Sequence, residues 1–114
     1  MRRQWLHGFL DLCLLSLLAE HRDYGVGLAE RLSAAGFGEV PGGTLYPSLL
    51  RLEQQGLVLT TREPSASGPP RKYYELTAHG RATQAERAQA WGHFRAAVDA
   101  VTLSAQGVVV EGPS

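Results

Sequence analysis

Thr44, Tyr46, Pro47, Ser48 and Arg51 lie in one stretch, GGTLYPSLLRLEQQGLV, from Gly42 to Val58. Their types suit a non-covalent grip on an anion or on a polar edge. Hydroxyls donate and accept, and a guanidinium forks its donors onto a phosphate or a guanine edge. A helix is expected from Thr44, or Gly43, to Gln55, which places Pro47 in its first turn. Proline costs little there, because the first four N–H groups of a helix have no partner in any case. Such a helix start offers free N–H groups and a positive dipole end to an anion. A second group of cations, Arg62, Arg71 and Lys72, follows further along.

Other chemistry is not supported. There is no Gly-rich phosphate loop, nucleophile elbow or paired-carboxylate pattern. The expectation is therefore a protein that is not an enzyme and needs no cofactor. His7, His21, His79 and His93 are not paired at metal-ligand spacing, so no metal site is expected. Cys13 is the single cysteine, which rules out an internal disulfide and points to a reducing compartment. It sits in an apolar run, which raises a thiol's pKa and makes it inert.

The elements that must position these residues can be read in order. The chain has 114 residues, enough for one domain with an added helix or tail, and 44% hydrophobic content, enough for a core. The N-terminal run is broken by Asp11 and lacks a small-x-small cleavage site, so neither a signal peptide nor a membrane span is expected. Residues 6–19 are apolar nearly all round and predict a helix buried on more than one side, between its own domain and a second surface. Asp23 is expected to cap a second helix, with Val26, Leu28, Ala29 and Leu32 turned inward and Gly36 as its stop.

In the third helix, Leu45, Leu49 and Leu52 form the buried stripe. Thr44, Ser48, Arg51 and Gln55 share another face, and Tyr46 and Leu50 a third flank. Gly56 stops the helix. The β-branched run LVLTTRE and the segment RKYYELT predict two strands joined by a long tip, PSASGPP. Tyr73 and Tyr74 must face opposite sides. Thr77 is expected to cap a last helix running to Leu103.

Three helices and a β-hairpin make a winged helix-turn-helix, a mainly α fold with a hairpin (α+β). Its third helix, 44–55, would enter a DNA major groove, with the wing, 57–77, alongside. The expected organisation is a winged domain over residues 1–77, a C-terminal dimerisation helix over 78–103, and a flexible tail over 104–114.

The segments LDLCLLSLLAE, YGVGLAERL, GGTLYPSLLRLEQQGLV and GPPRKYYELTAHGR together resemble the PadR family of bacterial transcriptional regulators, over residues 6–100. The single C-terminal helix is similar to that of its smaller subgroup. The resemblance implies a homodimeric, cytoplasmic repressor that binds a palindromic operator in double-stranded DNA and is released by an aromatic or drug-like effector. It implies DNA contacts from Thr44, Tyr46, Pro47, Ser48 and Arg51, and from the wing through Arg71 and Lys72. Arg62 joins these by its place on the wing. Where the family commonly has glycine-tyrosine at the start of the second helix, this chain has Gly25-Val26.

Each reading has a plainer rival. Arg51 reads as a base or phosphate contact, or as a solvated arginine paired with Glu53 or Glu30. The Tyr46 hydroxyl reaches a phosphate, or its ring packs under the wing. Trp91, Phe94, Val98 and Val101 recur at coiled-coil spacing and read as a dimer seam, with Trp91 also stacking on a flat effector. Trp5 is placed near the same interface. The net charge is zero, and four basic residues face three acidic ones between Gly42 and Thr77. That balance keeps open a second reading, a winged module for protein contact without a DNA role.

Overall fold

A computed structural model describes the backbone of residues 3–107 and the side chains of residues 8–107. The order is α1 (Arg3–Glu20), β1 (Asp23–Tyr24), α2 (Gly25–Leu32), α3 (Gly42–Gln54), β2 (Val58–Ser65), β3 (Gly68–Leu76) and α4 (Ala78–Ser104). The three strands form an antiparallel sheet in the order β1-β3-β2. The fold is α+β, a winged helix-turn-helix followed by one long helix. It divides into two compact units, with the division after Gln84, inside α4.

The first unit is built on leucines. Leu10, Leu14, Leu15 and Leu18 of α1 meet Leu28 and Leu32 of α2 and Leu45, Leu49 and Leu52 of α3. Leu57, Val58, Tyr74 and Leu76 of the hairpin close the core. Leu49 has no exposed surface, and truncating it to alanine would cost about 3 kcal/mol. Phe9, Leu12, Cys13 and Leu17 are half-buried on the flanks of α1.

The second helix differs from expectation at its start. Asp23 does not cap it: Asp23 is the first residue of β1, opposite Tyr74, and its Oδ1 accepts the Tyr24 amide at 2.8 Å. Its Oδ2 accepts from Arg31 Nη1 at 3.3 Å, while Arg31 Nη2 reaches the Leu17 carbonyl and Glu20. The carboxylate thus ties α2 to β1 and, through Arg31, to α1. Val26 is exposed rather than inward, because the helix starts at Gly25 and turns that position outward. A π turn, Ser33–Phe37, follows α2, and Gly36 breaks it at φ +116°, a value that favours glycine.

The third helix begins earlier than expected, at Gly42. Both Thr44 and Leu45 donate their amides to the Pro41 carbonyl at 2.9 Å. Pro47 therefore sits in the second turn, and the Gly43 carbonyl loses the amide that a non-proline residue would supply. At the other end, Gly56 takes φ +73°, its amide donates to Glu53 O, and that of Leu57 donates to Leu52 O. This is a Schellman stop, with Leu57 buried beneath it.

The wing is a tighter hairpin than the sequence implies. Ser65 pairs with Gly68, so the tip is only Ala66 and Ser67, and Pro64, Pro69 and Pro70 lie in the strands. The register shifts between Glu63 and Ser65, where Pro64 has no amide to offer the ladder. Tyr74 is core and Tyr73 lies on the opposite face.

Thr77 caps α4, its Oγ1 accepting the Gly80 amide at 2.9 Å and donating to Gly56 O at 2.7 Å. No described helix is long and apolar enough to cross a membrane.

Candidate nucleic-acid interface

The buried leucines of α3 fix which of its faces turns outward. Gly43, Tyr46, Pro47, Leu50 and Gln54 are exposed along it. The Tyr46 ring lies over Gly25 so closely that a Cβ there would fall 2.5 Å from its hydroxyl. It stands between two clefts. One, of about 390 Å³, runs toward the wing and is lined by Tyr24, Leu50, Glu53, Lys72 and Tyr74. The other, of about 340 Å³, runs along α2 past Val26, Ala29 and Glu30.

Two expected contact residues of α3 are engaged by neighbouring side chains, Ser48 from a buried position and Arg51 with its side chain 37% exposed. Ser48 is fully buried. Its hydroxyl donates to Thr44 O at 3.2 Å and accepts from Arg51 Nη2 at 2.9 Å. A DNA contact by Ser48 is thus not available in this arrangement, because its position falls beside Leu45, Leu49 and Leu52 on the packed side. Arg51 pairs with neither Glu53 nor Glu30, the partners expected of a merely solvated arginine. Its Nη2 meets Asp11 Oδ1 of α1 at 3.0 Å, which fastens α3 to α1. Thr44 is half-buried, and Pro47 is exposed.

On the wing, Arg62 and Arg71 are exposed. Arg62 stands across the ladder from Lys72, and Arg71 from Glu63. Lys72 is drawn toward α3, with Nζ 3.6 Å from Glu53 Oε1 and 5.5 Å from the Tyr74 ring. Thr60 donates to the same Glu53 carboxylate. Burial, reinforced by the Glu53 charge, pushes the Tyr74 hydroxyl pKa up.

The outer face of the sheet carries a ladder that sequence reading missed. The Arg71 guanidinium lies 4.7 Å from the centre of the Tyr24 ring, and Tyr24 and Tyr73 are 5.5 Å apart. Arg22 lies 4.7 Å from the Tyr73 ring and bonds Glu63. That bond raises the Arg22 pKa and holds the Glu63 carboxyl below its ordinary value. Two stacked tyrosines flanked by two arginines thereby join β1 to the wing. The only signal in the sequence is the tyrosine pair itself, since β1 is too short to show a period.

In the second unit, Trp91, Phe94, Val98 and Val101 are all exposed on α4. The Trp91 and Phe94 rings stand 5.9 Å apart. The side chain of Trp5 lies outside the described residues, as do residues 108–114 of the expected tail.

A leucine-cored winged helix-turn-helix with a cation-bearing hairpin defines the class as a winged-helix protein. The transcriptional regulator PadR-like family matches residues 14–86. The chain is 36% identical over 84 residues to Transcriptional regulator Rv3488 of Mycobacterium tuberculosis, covering 74% of this chain and 77% of that protein. Among solved structures it is similar to a PadR-like transcriptional regulator from Bacillus cereus, with 35% identity and a TM-score of 0.77 over 87% of this chain and 96% of that one. It is also similar to a PadR family regulator from Eggerthella lenta, with 32% identity and a TM-score of 0.75 over 87% and 86% of the two chains. The chain belongs to the PadR-like family of transcriptional regulators.

Proposed function

We propose that the protein is a homodimeric repressor that binds a palindromic operator and releases it when a flat aromatic effector binds. The observation that carries the DNA reading is a juxtaposition. The outward face of α3, with Tyr46, Pro47 and Leu50, belongs to the same unit as a hairpin that exposes Arg62 and Arg71 on a chain of zero net charge. Phosphate contacts from the wing position the protein, and α3 supplies contacts to base edges. In this reading residues 1–77 meet DNA and 78–103 join two copies.

The exposed stripe of Trp91, Phe94, Val98 and Val101 supports pairing, since spacings of three and four make an interhelical seam. Pairing would set two α3 helices about one DNA turn apart, roughly 34 Å. The half-buried flank of α1 suits the same partner subunit. Trp91 is the place for a stacked effector, and Trp91→Ala is expected to loosen the dimer, effector binding, or both. The effector acts only if it binds the DNA-free form more tightly.

The test is a gel shift on the DNA upstream of the protein's own gene, across a salt series, with and without flat aromatic compounds. Binding that falls steeply with salt through counterion release is expected. Absence of binding at low salt would overturn the reading. It would favour the alternative, a winged module for protein contact, which draws on the ion pairs that occupy Arg51 and Lys72.

A further inference from the structure

The outward face of α3 carries no free base-reading cation. Arg51, the basic residue of this helix, is turned onto Asp11 and Ser48. Glu53 is held by Lys72 and Thr60. Between the helix start and Gln54, the exposed side chains are Tyr46, Pro47 and Leu50. Tyr46 and Leu50 stand one turn apart in one row, and Leu50 is 52% exposed.

A lone exposed leucine is ordinary on a protein surface. This one is in an unusual place. Its neighbour Leu49 and the nearby Leu52 are fully buried, so the backbone beneath it is fixed. The cleft of about 390 Å³ beside it leaves its outer flank open. In the major groove, the apolar group displayed on the base edges is the C5-methyl of thymine.

We propose that Leu50 is a specificity-determining residue that packs on a thymine methyl in each half of the operator, with Tyr46 and Pro47 flanking it. The inference rests on the DNA-binding reading above and goes further by naming the base. It makes readout by α3 largely apolar, and leaves charge contacts to the wing.

Replacing thymine by uracil tests this, because uracil keeps the base pair and the phosphates and removes only the methyl. Gel shifts would use the upstream DNA with uracil introduced one segment at a time, against the wild type and Leu50→Ala. The wild type should bind uracil DNA roughly fourfold more weakly per methyl lost, the ratio that burying one methyl-sized group carries. Leu50→Ala should bind thymine and uracil DNA equally. Equal binding by the wild type would overturn the proposal, as would a Leu50→Ala variant that still prefers thymine. A change in oligomeric mass on Leu50→Ala would also overturn it, by placing Leu50 in a contact between copies. If the wild type bound no thymine DNA at low salt, the DNA reading itself would fall and take this inference with it.

Discussion

Arg51 of α3 and Asp11 of α1 meet at 3.0 Å, and the same guanidinium nitrogen also reaches the buried Ser48 hydroxyl. The pair spans 40 residues of sequence and links α3 to the first helix. A side chain whose type suggests a base contact is therefore, in the folded chain, a partly exposed fastening between two helices.

Arg51→Ala should keep the fold but lower its stability by about 1–2 kcal/mol, because Asp11 is mostly buried and loses its donor. It should also weaken operator binding, since α3 is held less firmly. Denaturant midpoints for Arg51→Ala, Asp11→Ala and the double variant would show coupling between the two sites. Strictly additive effects would mean that the pair does not act as a unit.

Gly80→Ala should be destabilising although alanine is the better helix former. A Cβ at position 80 would lie 2.0 Å from the Leu57 carbonyl oxygen, which is backbone and already accepts the Thr77 amide. The gain in helix propensity is about 1 kcal/mol. Overpacking against backbone costs about 1–3 kcal/mol or more, so the clash wins. Thermal melting would check this, and a melting temperature equal to that of the wild type would contradict it.

Phe94→Glu should leave each chain folded, because Phe94 is 58% exposed, yet convert the proposed dimer to a monomer. A carboxylate in an apolar seam loses its hydration without gaining a partner. Sedimentation analysis reads the mass directly. A wild type that already sediments as one chain would refute the seam.

Glu63 should titrate below the ordinary carboxylate range, because Arg22 bonds its ionised form. A depressed folded-state pKa contributes stability at pH values above the unfolded pKa. That contribution is lost as pH falls through the folded value. The small contribution of this exposed pair should therefore persist through neutral and mildly acid pH and be lost only as pH falls through the lowered Glu63 value. NMR titration of the carboxyl would follow it, and Arg22→Ala should return Glu63 to its ordinary value.

Much of the fold was legible because it follows from local periodicity. Leu45, Leu49 and Leu52 recur at helical spacing, and all are buried. Thr77 has the side chain of a cap, and it caps α4. The motif between Gly42 and Leu76 carries the family likeness, and the family match covers it. The candidate site was less legible. The two-residue β1 has no period to detect, so the ladder of Arg71, Tyr24, Tyr73 and Arg22 did not show. Gly42 fell outside the expected helix, although it is the first residue of α3.

By itself the sequence determined which residues are apolar at which spacing, and hence the helices, the hairpin and the winged arrangement, since burying those stripes is the dominant gain on folding. Only the tertiary structure decided where the polar side chains point. Asp11 lies far from Arg51 along the chain, and Glu53 from Lys72, so no local rule pairs them. Whether a hydroxyl or a guanidinium faces outward depends on which carboxylate or carbonyl the packing of α1, α3 and the sheet brings within reach.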